Sequence, residues 1–158
     1  MVLFRKLTLA ETIICVPAAR FQIMNLPPDI FFKPEIHLLV WRPRGLLNEK
    51  VVNQIIVFIR DVEARSDDNE LRYIDASELT AVALNFHYVF HVALYRRMSR
   101  IGKRSIKSAF LVKNPEFEHY FKLHALITDH SPLQVRLFGD PKSAAEWLDV
   151  SLKSLQRA

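Results

Sequence analysis

Short apolar runs alternate with helical segments through residues 31–155, and this alternation restricts the chain to a layered fold of strands and helices. Each helical segment begins on an asparagine or aspartate, which is a preferred helix cap. The order β-β-α-β-α-β-α-β-α predicts an α/β layer fold whose later strands are parallel and joined by right-handed crossovers. The predicted strands are 30–33, 36–42, 71–75, 105–112 and 133–138, and the predicted helices are 48–65, 85–100, 114–129 and a last one from 141.

The length of 158 residues fits one domain with a single sizeable core. Adjacent prolines at 27 and 28 form the clearest boundary, because proline stops helices and removes backbone donors from sheets. We therefore divide the chain into an N-terminal extension, 1–28, and a domain, 29–158. Met24 lies just before this boundary and is a plausible natural start.

The composition, with 50% hydrophobic and 25% charged residues, is typical of a soluble globular domain. Cys15 is the only cysteine, so no intramolecular disulfide can form, and a reducing, cytoplasmic setting is expected. No apolar run is long enough to span a bilayer.

The element order, together with the segment Ile74-Asp75-Ala76-Ser77-Glu78-Leu79 at the end of a central strand, resembles the STAS domain of bacterial anti-sigma-factor antagonists. The segments 36–45 and 144–148 extend this resemblance to a group of bacterial proteins with a SpoIIAA-like fold. The resemblance implies a central mixed sheet of about five strands with about four helices. It also implies a non-enzymatic regulatory module that acts through other molecules.

The resemblance implies where a switch would lie, because STAS antagonists are phosphorylated on a serine or threonine at the start of the helix that follows this strand. Leu84 and Asn85 occupy the matching positions here, and neither carries a hydroxyl. The phosphorylation switch is therefore expected to be absent. Asp75, Ser77 and Asn85 remain the candidate switch region, and Asp75 is expected to bind backbone donors in the turn.

A basic cluster is the sharpest local anomaly, with six positive and no negative charges between residues 96 and 107. One interpretation is a solvated helix end, where the helix dipole favours cations. The other is a docking patch for phosphate, anionic lipid or an acidic protein. In either case, replacing Arg96, Arg97 and Arg100 by Gln is expected to leave folding almost intact. The cluster consists of Arg96, Arg97, Arg100, Lys103, Arg104 and Lys107.

The helix predicted at 85–100 carries more apolar residues than one core face requires. We expect its core stripe to contain Phe86, Val89, Phe90, Ala93 and Leu94. The remaining face is expected to pack on a second subunit or to line an apolar pocket, through Tyr88, His91, Val92 and Tyr95. His87 and His91 have the spacing of two metal ligands, but the sequence supplies no third ligand in a recognised pattern, so no metal site or cofactor is predicted.

No complete catalytic signature is present, so the enzyme hypothesis depends on distant residues meeting in a cleft. His119, His124 or His130 could act as an acid or base with Asp75 or Glu118 as its partner. The leading hypothesis is a non-enzymatic binding module for a protein, or for a small anionic or amphipathic ligand. The alternative is a lipid-binding protein at the periphery of the inner membrane, with a role like that of CRAL-TRIO domains. Nucleic acid is disfavoured because only Tyr95 lies beside the basic cluster as a stacking residue.

Overall fold

The structure is a computed structural model that describes residues 28–65 and 70–156. The extension up to residue 27, with Cys15 and Met24, lies outside the described residues. The strands are β1 (Ile30–Lys33), β2 (Leu38–Trp41), β3 (Gly45–Asn48), β4 (Leu71–Asp75), β5 (Leu79–Ala83), β6 (Ile106–Leu111) and β7 (Leu133–Phe138). The helices are α1 (Glu49–Arg65), α2 (Phe86–Ser99), α3 (Pro115–Thr128), α4 (Pro141–Leu148) and α5 (Leu152–Leu155), with a 3-10 turn at Pro34–Ile36.

The main sheet has five strands in the order β1-β2-β4-β6-β7. β1 is antiparallel to β2, and the other neighbouring pairs are parallel. Parallel neighbours need helical crossovers, which α1, α2 and α3 help to supply. The predicted α/β layer fold with a mixed sheet of about five strands is therefore confirmed.

A second, two-stranded parallel sheet joins β3 to β5, and the sequence did not predict it. Gly45 adopts a positive φ of 66° at the start of β3, which is a conformation that glycine tolerates without strain. Pro43 and Gly45 interrupt the apolar pattern at the start of β3, and β5 is exposed at three of its five residues. Neither strand therefore has the buried apolar run that marks the strands of the main sheet.

Each face of the main sheet carries its own hydrophobic core. On the first face, α1 and α3 pack over Leu39, Trp41, Ile74 and Phe110. On the second face, α4 and α5 cover the alternate residues of the same strands, with Leu148 and Leu155 fully buried. Burial on both faces explains why β2 is apolar throughout. Gln134 and Arg136 of β7 are exposed, as the alternation of this edge strand indicated.

The predicted helix starts are confirmed by side-chain caps. Asn85 accepts a hydrogen bond from the Tyr88 backbone N–H at 2.8 Å, and Asn114 accepts one from Glu116 at 2.9 Å. Asp140 accepts from the Ser143 backbone at 2.8 Å. These bonds satisfy N–H groups that have no partner inside the helix, and they fix where α2, α3 and α4 begin.

The predicted core stripe of α2 is correct at two of its five residues. Val89 and Ala93 are buried, but Phe86, Phe90 and Leu94 are exposed, Phe90 at 40%. The third buried position of the helix is Arg96. α2 therefore turns a face of mixed polarity toward the core and leaves large apolar side chains outside.

Within the two described stretches of chain, each helix is too short or too polar to cross a bilayer.

Candidate functional site

A cavity of about 110 Å³ lies between the first face of the main sheet and helices α1, α2 and α3. Its walls are mostly apolar. Ile55 and Ile59 line it from α1, Val89 and Val92 from α2, and Phe121 from α3. The apolar part of this space is not filled readily by water, because water needs several polar partners.

One end of the cavity is polar because two strands place polar residues side by side on the same face. Arg72 of β4 and Ser108 of β6 are register partners, and both line the cavity. Alternation along each strand puts Ile74 and Phe110 on that same face, next to them. Arg96 from α2 and His124 from α3 complete the polar end.

The two arginines belong to a buried ion cluster that joins α1, β4 and α2. Glu63 accepts hydrogen bonds from Arg72 and from Arg96, the latter at 2.6 Å and 3.3 Å to its two oxygens. Arg100 lies 3.9 Å from Glu63, and Glu70 lies 3.7 Å from Arg72. We call these five residues, Glu63, Glu70, Arg72, Arg96 and Arg100, the arginine cluster. Their side chains are all buried.

Charge in the arginine cluster is unequal, with three guanidinium groups and two carboxyl groups. Burial raises the pKa of Glu63, but the hydrogen bond from Arg96 and the charge of Arg72 outweigh burial and lower it to about 2. Glu63 is therefore ionised at neutral pH. Burial raises the pKa of Glu70 more than the charge of Arg72 lowers it. Even with both carboxyl groups ionised, the cluster retains a positive charge.

His124 is neutral in this environment. Burial lowers its pKa, and the charges of Arg96 and Arg72 lower it further, to about 4. Its ring as a whole is partly exposed, but Nδ1 is buried and has no hydrogen-bond partner among the described residues. The ring edge also packs against Phe110, with centroids 5.7 Å apart. A neutral imidazole can donate or accept one hydrogen bond here.

The predicted basic docking patch needs correction, because it is not one surface. Arg96 and Arg100 are 2% and 6% exposed and belong to the arginine cluster. The premise that these two residues are exposed is therefore wrong, and we now expect their replacement to destabilise the fold. Arg97 donates to the Ile127 and Asp129 carbonyls at the end of α3. Lys107 lies on the other face of the sheet, where it donates to the Trp147 carbonyl and contacts its ring.

Lys103 and Arg104 are the two residues of the predicted patch that are exposed. They follow the end of α2 in a turn that contains Gly102, whose φ is 73°. A docking role for them stays a prediction.

Two candidate switch residues, Asp75 and Ser77, lie at the opposite end of β4 from Arg72, and the third, Asn85, caps α2. Asp75 accepts from the Ser77 backbone N–H at 3.0 Å and from the Ser77 hydroxyl, and it pairs with Arg42 at 3.2 Å. The expected turn role of Asp75 is confirmed by these bonds. Ser77 is exposed. A switch function for Asp75, Ser77 or Asn85 stays a prediction.

The predicted interface residues of α2 divide between two sides of the helix. Tyr88 and Val92 line the cavity, and the Tyr88 hydroxyl donates to Asn53 of α1 at 2.6 Å. His91 and Tyr95 are exposed on the outside. The Nε2 atoms of His87 and His91 lie 3.1 Å apart. Among the described residues, no group of three metal-ligating side chains is present.

The histidine and carboxylate pairs required by the enzyme hypothesis are not brought together in the described part of the chain. His119 contacts Phe86 and Tyr120, and His130 lies beside Asp129 on the surface. Glu118 pairs with Lys122 along α3 at 3.1 Å. The cavity contains His124, but Asp75 and Glu118 do not line it.

Sequence reasoning missed Glu63, Glu70, Arg72 and Ser108, although two signals were present. Arg72 interrupts the apolar run of β4 next to Tyr73 and Ile74. On α2, residues 89, 93, 96 and 100 follow the 4-3-4 spacing of a single helical face. Two buried apolar positions at the start of that face predict that Arg96 and Arg100 are also turned inward.

Comparison with known proteins gives a distant structural likeness. No protein-family model and no curated protein matches the chain. A solved structure from Shewanella loihica, described as an uncharacterized DUF3478 family protein with a SpoIIAA-like fold, is 16% identical. The match covers 75% of this chain and 89% of that one, with a TM-score of 0.49. Its description names the fold that the sequence resembles, and a likeness this distant says nothing about function.

Removing Arg96 should destabilise the protein strongly. Arg96→Met leaves the buried Glu63 with fewer partners, and loss of one partner of a buried ion pair costs about 3 to 5 kcal/mol. Arg104→Met removes an equal charge from an exposed site and should change the free energy of unfolding by about 0.5 kcal/mol or less. Urea unfolding measures both variants. Equal effects would contradict the buried position of Arg96.

His124 should make stability depend on pH. Its pKa is about 4 in the folded state and 6.5 when exposed, so the unfolded chain takes up the proton first as pH falls. The free energy of unfolding should therefore decrease between pH 6.5 and 4, by up to about 3 kcal/mol. Glu63 and Glu70 also titrate in acid, so the contribution of His124 is measured as the difference between the wild type and a variant that lacks His124.

Urea unfolding of the wild type, His124→Gln and His130→Gln at several pH values isolates this contribution. We expect the decrease to be smaller in His124→Gln than in the wild type, and to be unchanged in His130→Gln, which is altered on the surface. A wild-type slope in the His124→Gln variant would show that His124 does not stay neutral in the fold.

Proposed function

We propose that the protein is a non-enzymatic, STAS-like binding module whose ligand is a small amphipathic molecule held in the cavity between α1, α2 and α3. The observation that carries this proposal is the joining of apolar walls to one polar, positively charged end. Small-molecule sites usually combine a largely apolar lining with a few fixed polar groups. Of the functions considered from the sequence, ligand binding is the one that this site supports best.

The positions of α1 and α2 also favour an internal ligand. The Tyr88 hydroxyl of α2 is within hydrogen-bond distance of Asn53 and of the Glu49 carbonyl on α1. Further along, the ion pair of Glu63 with Arg96 joins the same two helices. The helices are thus held by polar contacts, while Val52, Ile56 and Val92 leave space between them. A ligand body placed there would bury apolar side chains that otherwise face the cavity, at roughly 25 cal/mol per Å².

Filling the cavity should abolish binding. Val52→Phe adds a ring to a side chain that lines the cavity, whereas Val57→Phe adds the same ring to the outer face of the same helix, where Val57 is exposed. Toluene and benzoate serve as probes in NMR titrations of all three proteins. We expect the wild type and Val57→Phe to bind at least one probe and Val52→Phe to bind neither. Absence of binding in the wild type, or binding unchanged by Val52→Phe, would contradict the proposal.

A second candidate function is association with an anionic membrane surface, which the outer side of α2 favours. Phe90, Leu94 and Met98 are exposed along this helix, and Ile101 is exposed just beyond its end. Lys103 and Arg104 follow directly. Apolar side chains beside cations are the pattern of surfaces that lie on anionic lipid.

Flotation with vesicles tests this second function. We expect the protein to float with vesicles of phosphatidylcholine and phosphatidylglycerol, to float less at high salt, and not to float with phosphatidylcholine alone. Replacing Met98 and Ile101 by Gln should reduce flotation, and Leu152→Gln, at an exposed site on α5, should not. Flotation that is absent, or that ignores lipid charge, rules this function out.

A further inference from the structure

Two residues that line the polar end of the cavity each carry a hydrogen-bonding atom that the described protein groups do not satisfy. Arg72 Nε and His124 Nδ1 are buried, and neither has a hydrogen-bond partner among the described residues. Both side chains line the cavity, and Arg72 is 2% exposed. Leaving a buried polar atom unpaired costs about 1 to 3 kcal/mol, and more for a charged group. These two atoms therefore favour a ligand group that can pair with them.

The chemistry of the two atoms limits what that group can be. An arginine Nε–H only donates, so the ligand atom next to Arg72 must be an acceptor. His124 Nδ1 can donate in one of its neutral forms, which makes two donors available. A ligand cation is disfavoured because the arginine cluster has more guanidinium groups than carboxyl groups. A planar anion with two acceptor oxygens suits these donors best.

The apolar part of the cavity limits the body of the ligand. Ile55, Val89 and Phe121 offer no polar group to it. An engineered apolar cavity of roughly 150 Å³ takes up benzene, so a cavity of about 110 Å³ suits a body of at most about six carbons. Bulky polar ligands such as nucleotides are too large and too hydrophilic for this space.

We infer that the ligand is a small monocarboxylic acid, bound as its carboxylate at Arg72 and His124, with a compact apolar body among α1, α2 and α3. This inference rests on the proposed function and adds the chemical class of the ligand. Ser108, the register partner of Arg72, places a third polar side chain beside the carboxylate. Glu63 accepts a hydrogen bond from one terminal nitrogen of Arg72, and Nε of the same guanidinium has no partner among the described residues, so it is left for the ligand.

Three probes of nearly equal shape test the head group. Benzoate carries a carboxylate, benzamide a neutral amide, and toluene no polar head. In NMR titrations of the full chain, benzoate should bind about tenfold more tightly than benzamide, the difference that one charge-assisted hydrogen bond provides. The Arg72 Nε–H signal should shift with benzoate and stay in place with toluene.

Variants locate the head group. His124→Leu should remove most of the preference for benzoate over benzamide, and His119→Leu, on the exposed side of the same helix, should keep it. If His124→Leu fails to fold, the Arg72 Nε–H signal of the wild type decides the question.

The outcomes separate the two proposals. Equal affinities for all three probes, each abolished by Val52→Phe, would overturn the carboxylate inference and leave the cavity as a binding site. Benzoate binding that persists in Val52→Phe, or that leaves the Arg72 signal unmoved, would also overturn the inference. Absence of binding by every probe would overturn the proposed function and this inference with it.

Discussion

The pairing of Glu63 with Arg72 and Arg96 is the interaction on which the rest of this structure depends. Glu63 lies on α1, Arg72 on the central strand β4 and Arg96 on α2, so one carboxylate joins three elements, including a helix whose arginine is 33 residues further along the chain. Buried charges are tolerated only when they are paired and hydrogen-bonded, which fixes the relative position of these elements. Replacing this cluster with apolar side chains would allow closer packing and would remove the polar end of the cavity.

The cavity follows from this arrangement. α2 contributes Val89, Ala93 and Arg96 to its buried side, and the long arginine side chain meets Glu63 where a continuous apolar stripe would otherwise pack against α1 and the sheet. Apolar walls and buried donors thus come to face the same space. The neutral state of His124 has the same origin, because burial and the charges of Arg96 and Arg72 both oppose its protonation.

Most of the fold was predictable because its signals are local. Asparagine and aspartate caps fixed the starts of α2, α3 and α4, and apolar runs identified the five strands of the main sheet. The small sheet of β3 and β5 escaped prediction because its residues are half exposed and because β3 begins on a glycine of positive φ. The site was much less predictable. From sequence alone, a run of arginines indicates a solvated surface. Their burial depends on the pairing of Arg96 with Glu63 on another helix, and this tertiary contact leaves no local signal.

The most direct test of the account is a crystal structure under xenon pressure, because xenon occupies preformed apolar cavities without altering charge. The account predicts a xenon atom between Ile55, Val89 and Phe121, next to a guanidinium of Arg72 that remains paired with Glu63, and no xenon in the Val52→Phe variant. Wild-type crystals without xenon there, in which α2 and α3 lie directly on the sheet, would contradict it.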